Sequence, residues 1–100
     1  MSTPSQAISL QITIPPAHVH GTYVNGVAFA HQANEFVADF YDVPPGAPGG
    51  EVLARIRLSP ILARRMLDAL AHNIETYEKA FGPIVRGETP SQVVFDSTAS

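Results

Sequence analysis

Hydrophobic and polar residues alternate along the segment AISLQITIP, residues 7–15. A period of two is typical of a β-strand with one buried face. The pattern therefore predicts a first strand, which ends at Pro15-Pro16 because proline cannot donate a hydrogen bond to a strand ladder. Its apolar positions are Ile8, Leu10, Ile12 and Ile14.

A second strand is predicted within GTYVNGVAFAH, residues 21–31. Asn25-Gly26 is a strong signal for a hairpin turn. The apolar residues on both sides also fit one longer strand with a glycine bulge. Few residues separate Pro16 from Tyr23, which leaves little room for another full strand, so the bulged strand is favoured.

The third and fourth strands are predicted at EFVADFYDV, residues 35–43, and EVLARIRLS, residues 51–59. The loop PPGAPGG between them is rich in proline and glycine, the residues of turns. One face of the pair is apolar and is expected to meet the core. That face has Phe36, Ala38 and Phe40 in the third strand and Val52, Ala54, Ile56 and Leu58 in the fourth.

The clearest element is a long helix within SPILARRMLDALAHNIETYEKAFGP, residues 59–83. Ser59 can cap its start, Pro60 suits the first helical position, and Gly82-Pro83 can end it. Apolar residues recur every three or four positions and form a stripe along one side. The stripe comprises Ala63, Leu67, Leu70, Ile74, Tyr77 and Phe81.

Short connections favour an antiparallel meander, and a single helix can cover one face of it. We therefore predict an α+β fold, in which a four-stranded antiparallel meander precedes one long C-terminal helix packed on one sheet face. Residues 7–86 form the predicted domain, between flexible tails at residues 1–6 and 87–100. Within the C-terminal tail, VVFDS could add to a sheet as an edge strand.

The second face of the third and fourth strands carries charge beside apolar residues. Asp39 is expected opposite Arg55 and Arg57, where an ion pair would fix the strand register. A strand pair that is apolar on both sides is usually covered on both sides, so a second copy of the chain is expected on this face. The predicted interface comprises Val37, Asp39, Tyr41, Leu53, Arg55 and Arg57.

Composition limits the partners. The net charge is −3 with six basic residues, whereas proteins that coat nucleic acid neutralise phosphates with an excess of positive charge. Binding of single-stranded nucleic acid by Tyr41, Arg55 and Arg57 is the alternative, because aromatic and basic side chains on a sheet form stacking platforms. The polar start MSTPSQA and the lack of a long apolar run favour a cytoplasmic protein without membrane attachment.

Little in the sequence indicates an enzyme. The absence of cysteine excludes thiolate nucleophiles and cysteine metal sites. His18 and His20 would lie on the same side of an extended segment, but no third ligand at a recognised spacing accompanies them. No constellation of nucleophile, base and orienting group is present. We predict a non-enzymatic protein without metal or cofactor.

Four segments together resemble a small prokaryotic family known only as a domain of unknown function. They are YVNG (23–26), NEFVADF (34–40), ARIRLSP (54–60) and ALAHNIETYEKAFG (69–82). The resemblance implies the same strand-and-helix domain and no assigned activity. The order of four strands and a helix is also similar to the repeat of Pur-type single-stranded nucleic-acid-binding proteins, a likeness of topology alone.

The sequence therefore predicts a small protein-interaction module that self-associates as a homodimer and binds a further protein partner.

Overall fold

A computed structural model describes residues 8–87 and 92–95 of the chain. The predicted tail at residues 1–6, and residues 88–91 and 96–100 of the C-terminal tail, lie outside the described residues. The elements in chain order are a short 3₁₀ turn (Pro16–His18), β1 (Gly26–His31), β2 (Phe36–Asp42), β3 (Glu51–Leu58) and α1 (Pro60–Phe81). The α+β class is confirmed.

The strands form one antiparallel sheet in the order β1-β2-β3. A tight turn joins β1 to β2, in which the Gln32 amide donates to the Glu35 carbonyl at 2.8 Å. The loop of residues 44–50 joins β2 to β3. The predicted antiparallel sheet is confirmed, but within the described residues it has three strands rather than four.

The predicted first strand is the missing one. Residues 8–14 are not part of the sheet, and their apolar side chains are exposed, from 66% at Ile14 to 91% at Ile8. Alternation specifies the two faces that a strand would have, but a strand also needs a hydrogen-bonded neighbour. The alternating pattern does not supply that neighbour. The prediction of a first strand is therefore wrong for the single chain.

Asn25-Gly26 lies at the start of a strand and forms neither a hairpin turn nor an internal bulge. β1 begins at Gly26, and Tyr23 lies outside it with its side chain exposed. The preferred prediction of one bulged strand that includes Tyr23 is therefore wrong. The Asn25 side chain is instead hydrogen-bonded to the backbone of Val43 beside the end of β2.

A bulge occurs at a different place, between β2 and β3. Phe40 faces Ala54 and the next residue, Tyr41, faces Val52, so Leu53 is the additional residue in β3. Directly opposed residues of antiparallel strands share a face. Val52 therefore lies on the Tyr41 side of the sheet and not on the predicted core face, because a bulge reverses the alternation.

The predicted ends of α1 are confirmed. The Ser59 hydroxyl accepts a hydrogen bond from the Leu62 amide at 3.1 Å, and Pro60 is the first helical residue. Gly82, with φ of 94°, follows the last turn, and its amide donates to the Glu78 carbonyl at 2.9 Å. With ψ of 174°, this is an extended conformation of positive φ that essentially only glycine adopts.

The expected packing of α1 on its own sheet is wrong. All 22 residues of the helix are described and none is buried. Ser59 is the single residue between β3 and α1 and is extended, with ψ of 154°. A residue that precedes proline is restricted to such conformations. This short connection does not turn the helix back over the sheet.

As a consequence, few apolar side chains are buried within the chain. Among the described residues, only Ala38 (0% exposed) and Leu58 (7%) are buried apolar residues. The radius of gyration is 17.9 Å, whereas a compact domain of 100 residues has about 13 Å. The elements are well formed, but they do not close around a common core.

Candidate interaction surfaces

The strand register divides the sheet into two different faces. The apolar face centres on β2, and two charged residues on that side of the sheet, Asp42 and Glu51, face each other at one end of it. Val27, Phe29 and Ile56 are large apolar residues on this face, and between 42% and 57% of each is exposed. Without that acidic pair, the apolar face consists of Val27, Phe29, His31, Phe36, Ala38, Phe40, Ala54, Ile56 and Leu58.

The charged face is the opposite side of the sheet. It contains five of the six residues predicted as an interface, which the register brings together in pairs. Val37 faces Arg57, Asp39 faces Arg55, and Tyr41 faces Val52. The sixth, Leu53, is the bulge residue and has no partner in the β2–β3 register. Small residues of β1 complete the face: Gly26, Ala28 and Ala30.

Asp39 and Arg55 form a two-point ion pair across β2 and β3. Arg55 donates from Nε to Oδ1 at 2.6 Å and from an Nη to Oδ2 at 3.2 Å. Asp39 is buried, with 8% of the residue exposed, while the Arg55 side chain is largely exposed. The hydrogen bonds to Asp39 raise the pKa of Arg55 above its usual value. The predicted register-fixing pair is therefore present.

Arg57 pairs with a different carboxylate from the one that Arg55 binds. It donates from Nε and an Nη to the two carboxylate oxygens of Glu35, at 2.6 and 2.9 Å. These hydrogen bonds lower the pKa of Glu35 and raise that of Arg57. The prediction that Asp39 pairs with both arginines is therefore correct for Arg55 only, and the role of Glu35 was not predicted. The available signal was that Glu35 lies on the same side of the alternating segment as Asp39, four residues before it.

Tyr41 marks the other end of the charged face. A Cβ atom added to Gly26 would overlap the Tyr41 ring, so the ring lies directly against that glycine. The Phe95 ring approaches Tyr41 edge-on, with centroids 6.4 Å apart and planes at 78°. Val93–Phe95 are not a strand. Nothing in the composition or spacing of this short apolar segment indicates that it meets Tyr41.

The predicted stripe on α1, termed the helix stripe, is a continuous apolar surface. Exposed fractions are 56% at Leu67, 56% at Leu70 and 39% at Ile74. Tyr77 and Phe81 contact each other near the C-terminal end, with ring centroids 5.0 Å apart. The helix stripe and the apolar face were predicted to cover each other within one chain, but both are open.

Metal-ligating side chains do not cluster in the described part of the chain. Residues 8–87 and 92–95 contain no group of three or more histidine, aspartate or glutamate side chains that could hold a metal ion. His18 belongs to the 3₁₀ turn and His20 follows it. Within the same ranges, no helix has both the length and the apolar character needed to span a bilayer.

The fold and its surfaces define a small α+β domain with an antiparallel meander, a long C-terminal helix and two dissimilar sheet faces. The chain belongs to the DUF3467 family, described as a protein of unknown function, whose family model matches residues 1–86. The predicted membership of a family of unknown function is thereby confirmed. No curated protein and no solved structure matches the chain. The likeness to Pur-type repeats stays a prediction.

Proposed function

We propose that this chain is a small, non-enzymatic interaction module that self-associates and presents a surface to a protein partner. One observation carries the proposal: the helix stripe and the apolar face are both open in a chain that is 45% hydrophobic. Contiguous apolar surface of this kind marks sites of association in soluble proteins. Covering it would give the chain the core that it lacks alone.

The energetic gain is large enough to drive association. Complete burial of one large apolar side chain contributes about 1.5–3 kcal/mol. The helix stripe and the apolar face together offer more than six such side chains. Because this gain comes from apolar area, high salt should not weaken the assembly.

Light scattering after size exclusion, at low and high salt, tests self-association directly. The native chain is expected to have the mass of a dimer in both buffers. Leu70→Glu, in the middle of the helix stripe, is expected to raise the dissociation constant tenfold or more, since about 1.4 kcal/mol corresponds to a factor of ten. A native chain that remains a monomer at micromolar concentration would reject the proposal.

His72→Glu is the matched control. It introduces the same side chain into the same helix, two residues away, but off the helix stripe. The mass of this variant should equal that of the native chain. Equal loss of association in both variants would indicate a general effect of negative charge on the helix and would contradict a role for the helix stripe.

The charged face is the proposed surface for the protein partner. Its two ion pairs hold Arg55 and Arg57 in fixed orientations beside Val37 and Tyr41. Charged groups at an interface set specificity and orientation more than affinity. Partners captured by the native dimer should be lost with Arg55→Ala/Arg57→Ala while the dimer mass is unchanged.

The ion pairs weigh against single-stranded nucleic acid as the ligand. Arg55 and Arg57 each make two hydrogen bonds to a carboxylate, so their charges are already neutralised within the sheet. Phosphate binding requires positive charge that is free to replace counterions. In anisotropy titrations of a labelled single-stranded oligonucleotide at low salt, the native chain and Arg55→Ala/Arg57→Ala should therefore give the same result.

A further inference from the structure

The connection between β3 and α1 determines where the helix can go. Ser59 is the one residue between the two elements. On one side of it, Leu58 is paired with Phe36 in the sheet, and on the other, the ring of Pro60 restricts the backbone. The Ser59 side chain caps the helix, and Pro60 restricts the Ser59 backbone to the extended region. Connections between packed elements usually have several residues, because the chain must reverse direction.

The helix stripe and the apolar face match each other in chemistry and size. The helix stripe has no charged residue, and the acids on the same side of the sheet as the apolar face, Asp42 and Glu51, lie at one end of it. A helix of 22 residues is about 33 Å long, and β3, with eight residues, is about 27 Å long. The helix can therefore extend along the whole face of a three-stranded sheet.

From this relationship we propose that two copies of the chain exchange their helices, so that α1 of each copy packs on the apolar face of the other. The proposal rests on the self-association proposed above and specifies its geometry. The two contacts are identical, as a twofold axis requires, and exchange of an identical element is a common route to dimers.

Other pairings of two copies leave one apolar surface open. Contact between the two helices alone would bury the helix stripes and expose both apolar faces. Contact between the two sheets alone would bury the apolar faces and expose both helices. The exchange covers all four surfaces, the two helix stripes and the two apolar faces, with one partner. It also leaves the Ser59 connection unchanged, whereas packing within one chain would require that connection to bend.

The area is adequate for a stable dimer. Stable interfaces bury about 1,200–2,000 Å² in total. A helix about 33 Å long and 10 Å wide on a sheet covers a footprint of roughly 330 Å². Two such contacts, counted on both partners, bury about 1,300 Å², and contacts around the two connections would add to this.

Thiol cross-linking can identify the exchange, since the native chain has no cysteine. Ile56→Cys lies on the apolar face, and Leu70→Cys lies on the helix stripe. The two single variants, unfolded and refolded together, are treated with a short bismaleimide. The expected product is a covalent pair of one Ile56→Cys chain and one Leu70→Cys chain, identified by intact mass. Replacing Leu70→Cys by His72→Cys should remove this product.

The double variant Ile56→Cys/Leu70→Cys separates contacts between chains from contacts within one chain. Refolded with an excess of native chain, it should lose the cross-link in proportion to the dilution, because its partner then lacks a thiol. Leu67→Cys in place of Leu70→Cys provides the same test at a second position on the helix stripe. Both double variants are first confirmed as dimers by light scattering.

Three results would overturn the exchange. A cross-link within single chains that survives dilution would place the helix on its own sheet. A dimer in which Leu70→Cys links only to Leu70→Cys would place the helices against each other. A dimer without any link between Ile56→Cys and either helix position would place the helix stripe elsewhere. A native monomer, in contrast, would reject the proposed self-association itself.

Discussion

The side chain of Asn25 forms two hydrogen bonds with the backbone of Val43, as a neighbouring strand residue would. Its Nδ2 donates to the Val43 carbonyl at 2.7 Å, and its Oδ1 accepts from the Val43 amide at 2.9 Å. The Asn25 amide also donates to the Tyr41 carbonyl at 3.2 Å. The β1–β2 pairing is thereby extended past the formal start of β1, where the backbone alone would leave the groups of Val43 unpaired.

Asn25→Ala should therefore destabilise the sheet. Two hydrogen bonds of ordinary net strength are lost, which amounts to about 1–2 kcal/mol in the free energy of unfolding. Urea unfolding followed by circular dichroism would measure the change. Asn34→Ala, an exposed position in the β1–β2 turn, is the control and should change the free energy little. Equal stability of Asn25→Ala and the native chain would contradict a structural role for this side chain.

Gly50 and Gly49 differ sharply although they are adjacent in the loop before β3. A Cβ atom at Gly50 would overlap the backbone carbonyl of Asp42, whereas a Cβ atom at Gly49 would have open space around it. Gly50→Ala is expected to cost about 1–3 kcal/mol, because backbone atoms must move apart. Gly49→Ala should leave unfolding in urea nearly unchanged, and a loss of similar size in both variants would contradict this explanation.

Local features were predictable from the sequence, and long-range packing was not. The ends of α1 follow from Ser59, Pro60 and Gly82 because capping is a property of adjacent residues. The pairing of Asp39 with Arg55 follows from alternation in two short strands. The position of Val52 does not, since a bulge reverses the alternation without a clear signal in composition.

The larger error concerned which surfaces cover each other. The periodicity of the sequence shows that the helix stripe and the apolar face are both to be buried. It does not show whether the same chain or a second copy covers them. Ser59 is recognisable in the sequence as a helix cap, but its position as a one-residue connection also constrains the direction of α1. Residues 8–14 raise the same question, because their alternation is clear and their partner is not in the described part of the chain.

The ion pair between Glu35 and Arg57 predicts a pH dependence. Arg57 lowers the pKa of Glu35 in the folded chain, so the folded state binds this proton less readily than the unfolded state does. The stabilisation is therefore fully present above the unfolded pKa of about 4.3. It is lost as the pH falls through the lower, folded pKa.

A comparison of the native chain with Glu35→Gln isolates this contribution. The difference in free energy of unfolding between the two should be constant above about pH 5 and should shrink towards pH 3. Urea unfolding at a series of pH values would measure it. Arg57→Gln should behave as Glu35→Gln does. A difference that grows on acidification would have the wrong sign for a carboxylate with a lowered pKa.

The Ser59 connection makes the strongest prediction about assembly. If its shortness forces the helix onto a partner, a longer connection should allow α1 to return to its own sheet. A flexible glycine–serine segment of about five residues, inserted between Leu58 and Ser59, matches the usual length of such connections. The variant is expected to be a monomer by light scattering and to keep its helix by circular dichroism, because lengthened hinges favour closure within one chain over exchange.

The same segment inserted after Gly46, in the loop between β2 and β3, is the matched control. It adds identical residues at an exposed position that does not connect to α1, so the dimer should persist. A variant with the insertion before Ser59 that keeps the dimer mass would show that the connection does not determine the partner of the helix. Conversion to a monomer by both insertions would indicate a general loss of stability and would argue against the hinge.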